Sequence, residues 1–256
     1  MRRRYDIVTI FPAMFAALTE YGVTRRAHER GLYELTLHDP RNFTDDPHRR
    51  VDDRPYGGGP GMLMRPEPLT AALRHARAEQ LRAVGTPGPV IYLSPQGKRL
   101  DHAEVMRLAA HSSFILLCGR YEGIDQRVIE AEVDEELSLG DFVLTGGELA
   151  AMVVLDAVIR QLPGALGDAQ SVEADSYVGG LLDHPHYTRP EVFEGRAVPE
   201  VLRSGNHEAI ARWRLKERLR RTRTLRPDLL ASRPLSVLES RLLEELEQEE
   251  KRDTSA

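Results

Sequence analysis

The stretch Phe114-Ile115-Leu116-Leu117-Cys118-Gly119-Arg120-Tyr121-Glu122-Gly123 passes without a break from apolar residues into a polar turn held between glycines. A short apolar run closed in this way predicts a buried strand that feeds a loop. Tyr5–Phe11, Leu32–His38 and Val90–Leu93 carry the same signature. Amphipathic stretches at roughly 12–20, 66–82, 101–110 and 124–132 fall between or after them, and a longer one spans Glu148 to Gln161. Asp101 is expected as an N-cap, with Glu104 completing a capping box. Alternating strands and helices predict an α/β fold with a mostly parallel sheet.

Three loops share a character. Ser94-Pro95-Gln96-Gly97 follows one apolar strand, Cys118–Gly123 follows another, and Leu139–Glu148 holds Gly140, Gly146 and Gly147. In open parallel sheets ligands sit beyond the carboxyl ends of the strands, where such loops converge. Glycines there let the backbone approach a ligand. No G-x-G-x-x-G follows the first strand, and Gly57-Gly58-Gly59-Pro60-Gly61 lacks the ending of a phosphate-binding P-loop, so neither common nucleotide site is supported. The Gly57–Gly61 stretch reads equally as a lid or as a rigid turn.

The chain has 256 residues and a net charge of -5, unevenly spread. Residues 203–226 carry nine bases against two acids, and residues 239–256 carry seven acids against three bases. The basic stretch, with Asn206 as its N-cap and Pro227 beyond its end, predicts a helix offering Arg212, Arg214, Lys216 and Arg220 to RNA phosphates. The acidic stretch predicts a terminal helix with a solvating role. Trp213 is expected to pack rather than stack on a base.

One cysteine, Cys118, excludes an internal disulfide and a cysteine zinc cluster, and it reads as a small buried hydrophobe. His184 and His186 are a weak metal pattern, and no metal ligand set is expected. No long apolar run is present, which points to the cytoplasm. Pro163, Gly164 and Gly167 break the helical pattern, so the expected organisation is a first domain at 1–161, a linker at 162–183 and a smaller helical domain with an acidic tail at 184–256.

The runs Val51–Met64, Tyr92–Gly97, Cys118–Asp125, Leu139–Leu144 and His186–Glu191, with Tyr21–Thr24 and Ser204–Asn206, strongly resemble the bacterial tRNA (guanine-N1-)-methyltransferase family of the TrmD type. The resemblance covers about residues 5–230, in order and with matching spacing. It implies a SPOUT-type sheet with a deep trefoil knot. It further implies S-adenosyl-L-methionine as methyl donor, a homodimer, and tRNA with guanine at position 37 as substrate. By match, the donor would contact Tyr92, Leu93, Ser94, Pro95, Gln96, Gly119, Tyr121, Glu122, Gly123, Leu139, Gly140, Phe142, Leu144, Gly146 and Gly147. A magnesium requirement is also implied, with Glu122 as the carboxylate nearest it. Ala150 and Asn42 depart from the family pattern, which commonly has proline and aspartate there, and the binding affinity is what they put in question.

The same match places an N1 base at Asp175 and a cation for the developing charge on O6 at Arg160. Neutral guanine carries a proton on N1 that has to leave, so a base within hydrogen-bond reach is required. Arginine suits guanine because it can donate in parallel to O6 and N7. Read without the resemblance, Asp175 is a turn residue and Arg160 a helix-terminal charge. Two rival readings are a SPOUT enzyme acting on ribosomal RNA and a non-catalytic RNA-binding protein.

Overall fold

The computed structural model describes residues 3–167 and 175–254, and the chain divides into two compact units, 1–169 and 170–256. The expected linker at 162–183 falls partly on 168–174, outside the described residues.

In the first unit the strands are β1 (Arg3–Val8), β2 (Tyr33–His38), β3 (Asp52–Asp53), β4 (Leu63–Met64), β5 (Val90–Arg99), β6 (Ser113–Cys118) and β7 (Glu135–Ser138). The helices are α1 (Ala16–Thr19), α2 (Gly22–Glu29), α3 (Pro66–Val84), α4 (His102–Ala110), α5 (Gln126–Glu132) and α6 (Gly147–Ile159). Five strands form one sheet in the order β2-β1-β6-β5-β7, and every pairing in it is parallel. The α/β parallel fold expected from the alternation is the one observed.

Strand β6 lies at the centre, and all six of its residues are buried. Helices cover both faces, so its side chains can be apolar on each. The two-residue period sends Phe114, Leu116 and Cys118 into one core with α2, α4 and α6, and Ile115 and Leu117 into the other with α3 and α5. Helix α3 opens with Pro66 and stops at Gly85, whose φ of 82° only glycine adopts freely.

Among the elements that escaped the sequence reading are β7 and α2, besides the two-residue strands. Edge strand β7 is Glu-Glu-Leu-Ser, too polar and short to show as an apolar run. Helix α2 is mostly polar and buries only Thr24 and Ala27. One expectation needs correcting. Asp101 does cap α4, accepting from the Glu104 N–H at 2.8 Å, but the Glu104 side chain does not complete a capping box. It is buried between Lys98 at 2.6 Å and Arg107, since a buried carboxylate gains more from two cations than from one backbone amide.

The second unit contains the short hairpin β8 (Val192–Phe193) and β9 (Arg196–Ala197), then α7 (His207–Leu225), α8 (Pro227–Ala231) and α9 (Val237–Thr254). Asn206 caps α7 by accepting from the Ala209 N–H at 3.1 Å, as expected. A small core of Leu181, Leu219, Leu242 and Leu246 joins α7 to α9.

Candidate active site

Residues Tyr92–Pro95 of β5, the carboxyl end of β6 and the loop after β7 converge on one cavity of about 170 Å³, room for a small molecule rather than a single water. Every position expected to contact the methyl donor lines this cavity except Gln96, which is exposed. Arg120, Leu137, Ser138, Val143, Thr145 and Ala150 line it too. Of these only Ala150 was singled out, as a departure from the family pattern, although each lies in or beside the runs that were.

Close backbone approach explains two of the glycines. A Cβ on Gly119 would meet the Tyr92 ring at 2.9 Å, and one on Gly147 would meet the Cys118 Cα at 2.7 Å. The Gly147 N–H donates to the Gly119 carbonyl at 2.9 Å, closing the start of α6 onto the end of β6. Tyr121 takes a left-handed φ of 61°, which costs a non-glycine residue about 1–2 kcal/mol and turns its backbone into the cavity wall. Burial raises the Tyr92 phenol above its ordinary value.

Arg120 fixes the loop after β7. Its Nε donates to Glu148 at 2.7 Å and its Nη1 to the Thr145 carbonyl at 3.2 Å, while the guanidinium lies 4.5 Å over the Phe11 ring. Glu148 is fully buried and also accepts from the Thr9 hydroxyl at 2.9 Å. The Gly57–Gly61 turn is the tip of hairpin β3–β4. That hairpin is tied to the cavity wall, because the Met64 N–H donates to the Gly123 carbonyl at 2.9 Å and the Glu122 N–H to the Met62 carbonyl at 3.0 Å. Gly61 faces the Glu122 side chain, which leaves no space there for a Cβ.

Arg160 and Asp175 belong to different units. Arg160 ends α6, half-buried, its N–H donating to the Asp156 carbonyl at 3.2 Å. Asp175 opens a tight turn, its carbonyl accepting from Val178 at 3.3 Å. Neither residue lines the cavity.

On α7 the four candidate RNA contacts separate. Arg212 pairs with Glu245, Lys216 with Glu245 at 3.3 Å and Glu249 at 2.6 Å, and Arg220 with Glu249 at 3.0 Å. The three bases lie on α7 and both of these acids on α9. Arg214 is exposed and meets no carboxylate among the described residues. Trp213 is half-buried, its ring 6.2 Å from His184 and 6.3 Å from Tyr187.

His184 and His186 gain a neighbour in Asp183, and the three potential ligand atoms lie within 4.8 Å of one another. His186 bonds Asp183 at 2.7 Å, and His184 Nδ1 donates to the Pro185 carbonyl at 3.0 Å. Burial works against the Asp183 charge, yet the His186 bond and the His184 N–H together hold the carboxyl below its ordinary value.

The family model described as tRNA (Guanine-1)-methyltransferase TrmD matches residues 3–232. The chain belongs to this family. A relative from Aromatoleum aromaticum named tRNA (guanine-N(1)-)-methyltransferase is 63% identical over 248 residues, covering 97% of this chain and 94% of its own. Relatives of the same name from Methylobacillus flagellatus and Dechloromonas aromatica are each 60% identical, over 97% and 96% of this chain and 94% and 98% of theirs. The family's match spans both units and so takes in the cavity and the basic helix α7 alike.

Proposed function

We propose that this protein transfers a methyl group from S-adenosyl-L-methionine to N1 of the guanine at position 37 of tRNA. The observation that carries the reading is that the family match extends over nearly all of the chain and that its loop motifs come together around one cavity. The lining suits the donor. Apolar Leu93, Leu139 and Leu144 beside Tyr92 offer a slot for a flat heterocycle, and the close-set glycines expose backbone groups to its polar edges. Bound there, the donor supplies an electrophilic methyl on sulfonium.

The chain's own work is acid–base and electrostatic. Asp175 accepts the N1 proton of the target base, and Arg160 faces the charge that then spreads to O6. Removing such a preorganised group costs roughly 3–4 kcal/mol of barrier. Glu122, exposed at the cavity wall, is the carboxylate a magnesium ion would meet. Helix α7 supplies phosphate attraction, which raises affinity without reading sequence. Residues 1–161 act as the donor-binding domain with its knotted loops, 162–183 as the linker that carries the base, and 184–256 as the tRNA-binding domain.

A homodimer is part of this reading. Leu149 and Val153, four apart on α6, are each about half exposed, and Val143 beside them in sequence is 83% exposed. A second copy covering this part of α6 would take these side chains out of water. No helix among the described residues is long and apolar enough to cross a membrane, in keeping with a tRNA enzyme of the cytoplasm.

The deciding experiment supplies labelled S-adenosylmethionine and two tRNA transcripts that differ only in guanine or adenine at position 37. Label on the guanine transcript alone, recovered as 1-methylguanosine, supports the proposal. Label on neither transcript, with the donor still bound, sinks it.

A further inference from the structure

The bases of α7 sort into two faces. At about 100° per residue, Arg212, Lys216, Arg220 and Arg223 fall within roughly 80° of arc, and Arg214 and Arg221 lie on nearly the opposite side. The first face is covered by α9, where Glu245, Glu249 and Glu250 take its cations one after another. A phosphate arriving there would have to displace a carboxylate already held at close range. The second face meets no carboxylate among the described residues. Arg214 is exposed, and Arg221 is exposed and donates only to the Asp183 carbonyl at 3.4 Å. Arg218, on the same side as Arg214, is engaged with the Val178 and Leu182 carbonyls.

Next to the open face the chain places aromatic and basic side chains together. Tyr187, 49% exposed, lies against Trp213, whose ring also meets His184, the residue after the Asp183 whose carbonyl Arg221 reaches. Arg189, two residues on, is exposed and likewise meets no carboxylate among the described residues. An exposed aromatic beside guanidinium groups that no carboxylate neutralises suits an RNA loop, whose unpaired bases stack while its phosphates meet the cations.

We infer that the RNA-binding surface of the second unit is the Arg214–Arg221 face of α7 with Tyr187 and Arg189, and that α9 acts as a built-in acidic cover that removes the Arg212–Lys216–Arg220–Arg223 face from phosphate binding. The inference rests on RNA being the substrate and goes beyond it by assigning the face. Free energy favours this division, since a cation released from a carboxylate to meet a phosphate gains one charge partner only by losing another.

The test measures binding of unmodified tRNA transcript to the full chain over a series of salt concentrations. Each lost phosphate contact makes the log–log slope shallower by about 0.7–0.9. Arg214→Gln with Arg221→Gln should flatten the slope by about 1.5 and weaken binding several-fold. Arg212→Gln with Arg220→Gln should leave the slope as in the parent protein, and Glu245→Gln with Glu249→Gln should steepen it by uncovering cations. A flatter slope from the Arg212 and Arg220 pair, or equal loss from both pairs, overturns the inference. Thermal unfolding of each variant separates misfolding from lost contacts. If the parent protein binds tRNA no better than poly(U), the substrate reading falls, and the same comparison of faces on poly(U) still decides this inference.

Discussion

Arg120 and Glu148 form an ion pair of 2.7 Å across the wall of the cavity, with Glu148 wholly out of water. The pair joins the loop after β6 to the first turn of α6, and through the Thr145 carbonyl it holds the loop between them. Removing one partner of a buried pair strands the other charge, which costs about 3–5 kcal/mol. Arg120→Ala should therefore melt roughly 6–20 °C below the parent protein, at about 2–4 °C per kcal/mol for a chain of this size. Calorimetry checks this, and an unchanged melting temperature would show that the pair is not what secures the loop.

Gly147 offers a second prediction. An added methyl would fall 2.7 Å from the Cys118 Cα, and backbone cannot yield as a flexible side chain can. Gly147→Ala should push α6 off β6 and weaken S-adenosylmethionine binding at least tenfold in titration calorimetry. Donor affinity within twofold of the parent would refute this.

If Asp175 takes the N1 proton, Asp175→Asn should bind the donor normally and lose methyl transfer by about 10²–10⁴-fold in kcat. Single-turnover assays on saturating tRNA read that loss directly. A variant with parental turnover would remove Asp175 from the chemistry.

Asp6 makes stability depend on acid. It is fully buried, and burial alone would raise its pKa, but hydrogen bonds from His38, Arg4 and Gln80 bring it below its ordinary value. A carboxyl depressed in the folded state stabilises above its unfolded pKa of about 3.9, and that stability is lost as pH falls towards the lower folded value. Asp6→Asn should be less stable at pH 7 and should lose less stability than the parent between pH 5 and pH 3. Urea unfolding at each pH measures both, and parallel curves for the two proteins would contradict the assignment.

The acidic and basic stretches show where the sequence stopped being readable. Each was legible as a run of like charge, and Asn206 and Pro227 bounded the basic helix without any coordinates. Local patterning also sufficed for the buried strands, since residues apolar on both faces leave no doubt about burial, and for the loops that line the cavity. It did not suffice where partners are remote. Glu104 has the spacing of a capping box, yet Lys98 and Arg107 claim its side chain, and β7 counts as a strand only because β5 supplies its hydrogen bonds.

The sequence by itself determined the alternating α/β layout, the three glycine loops and the segregation of charge, because each depends on residues adjacent in the chain. Only the tertiary structure decided that Lys216 faces Glu249, 33 residues away, and that Arg214 faces none of these acids. Helical periodicity turns neighbours in sequence to opposite sides, and packing through Leu219, Leu242 and Leu246 chooses which side meets the acids.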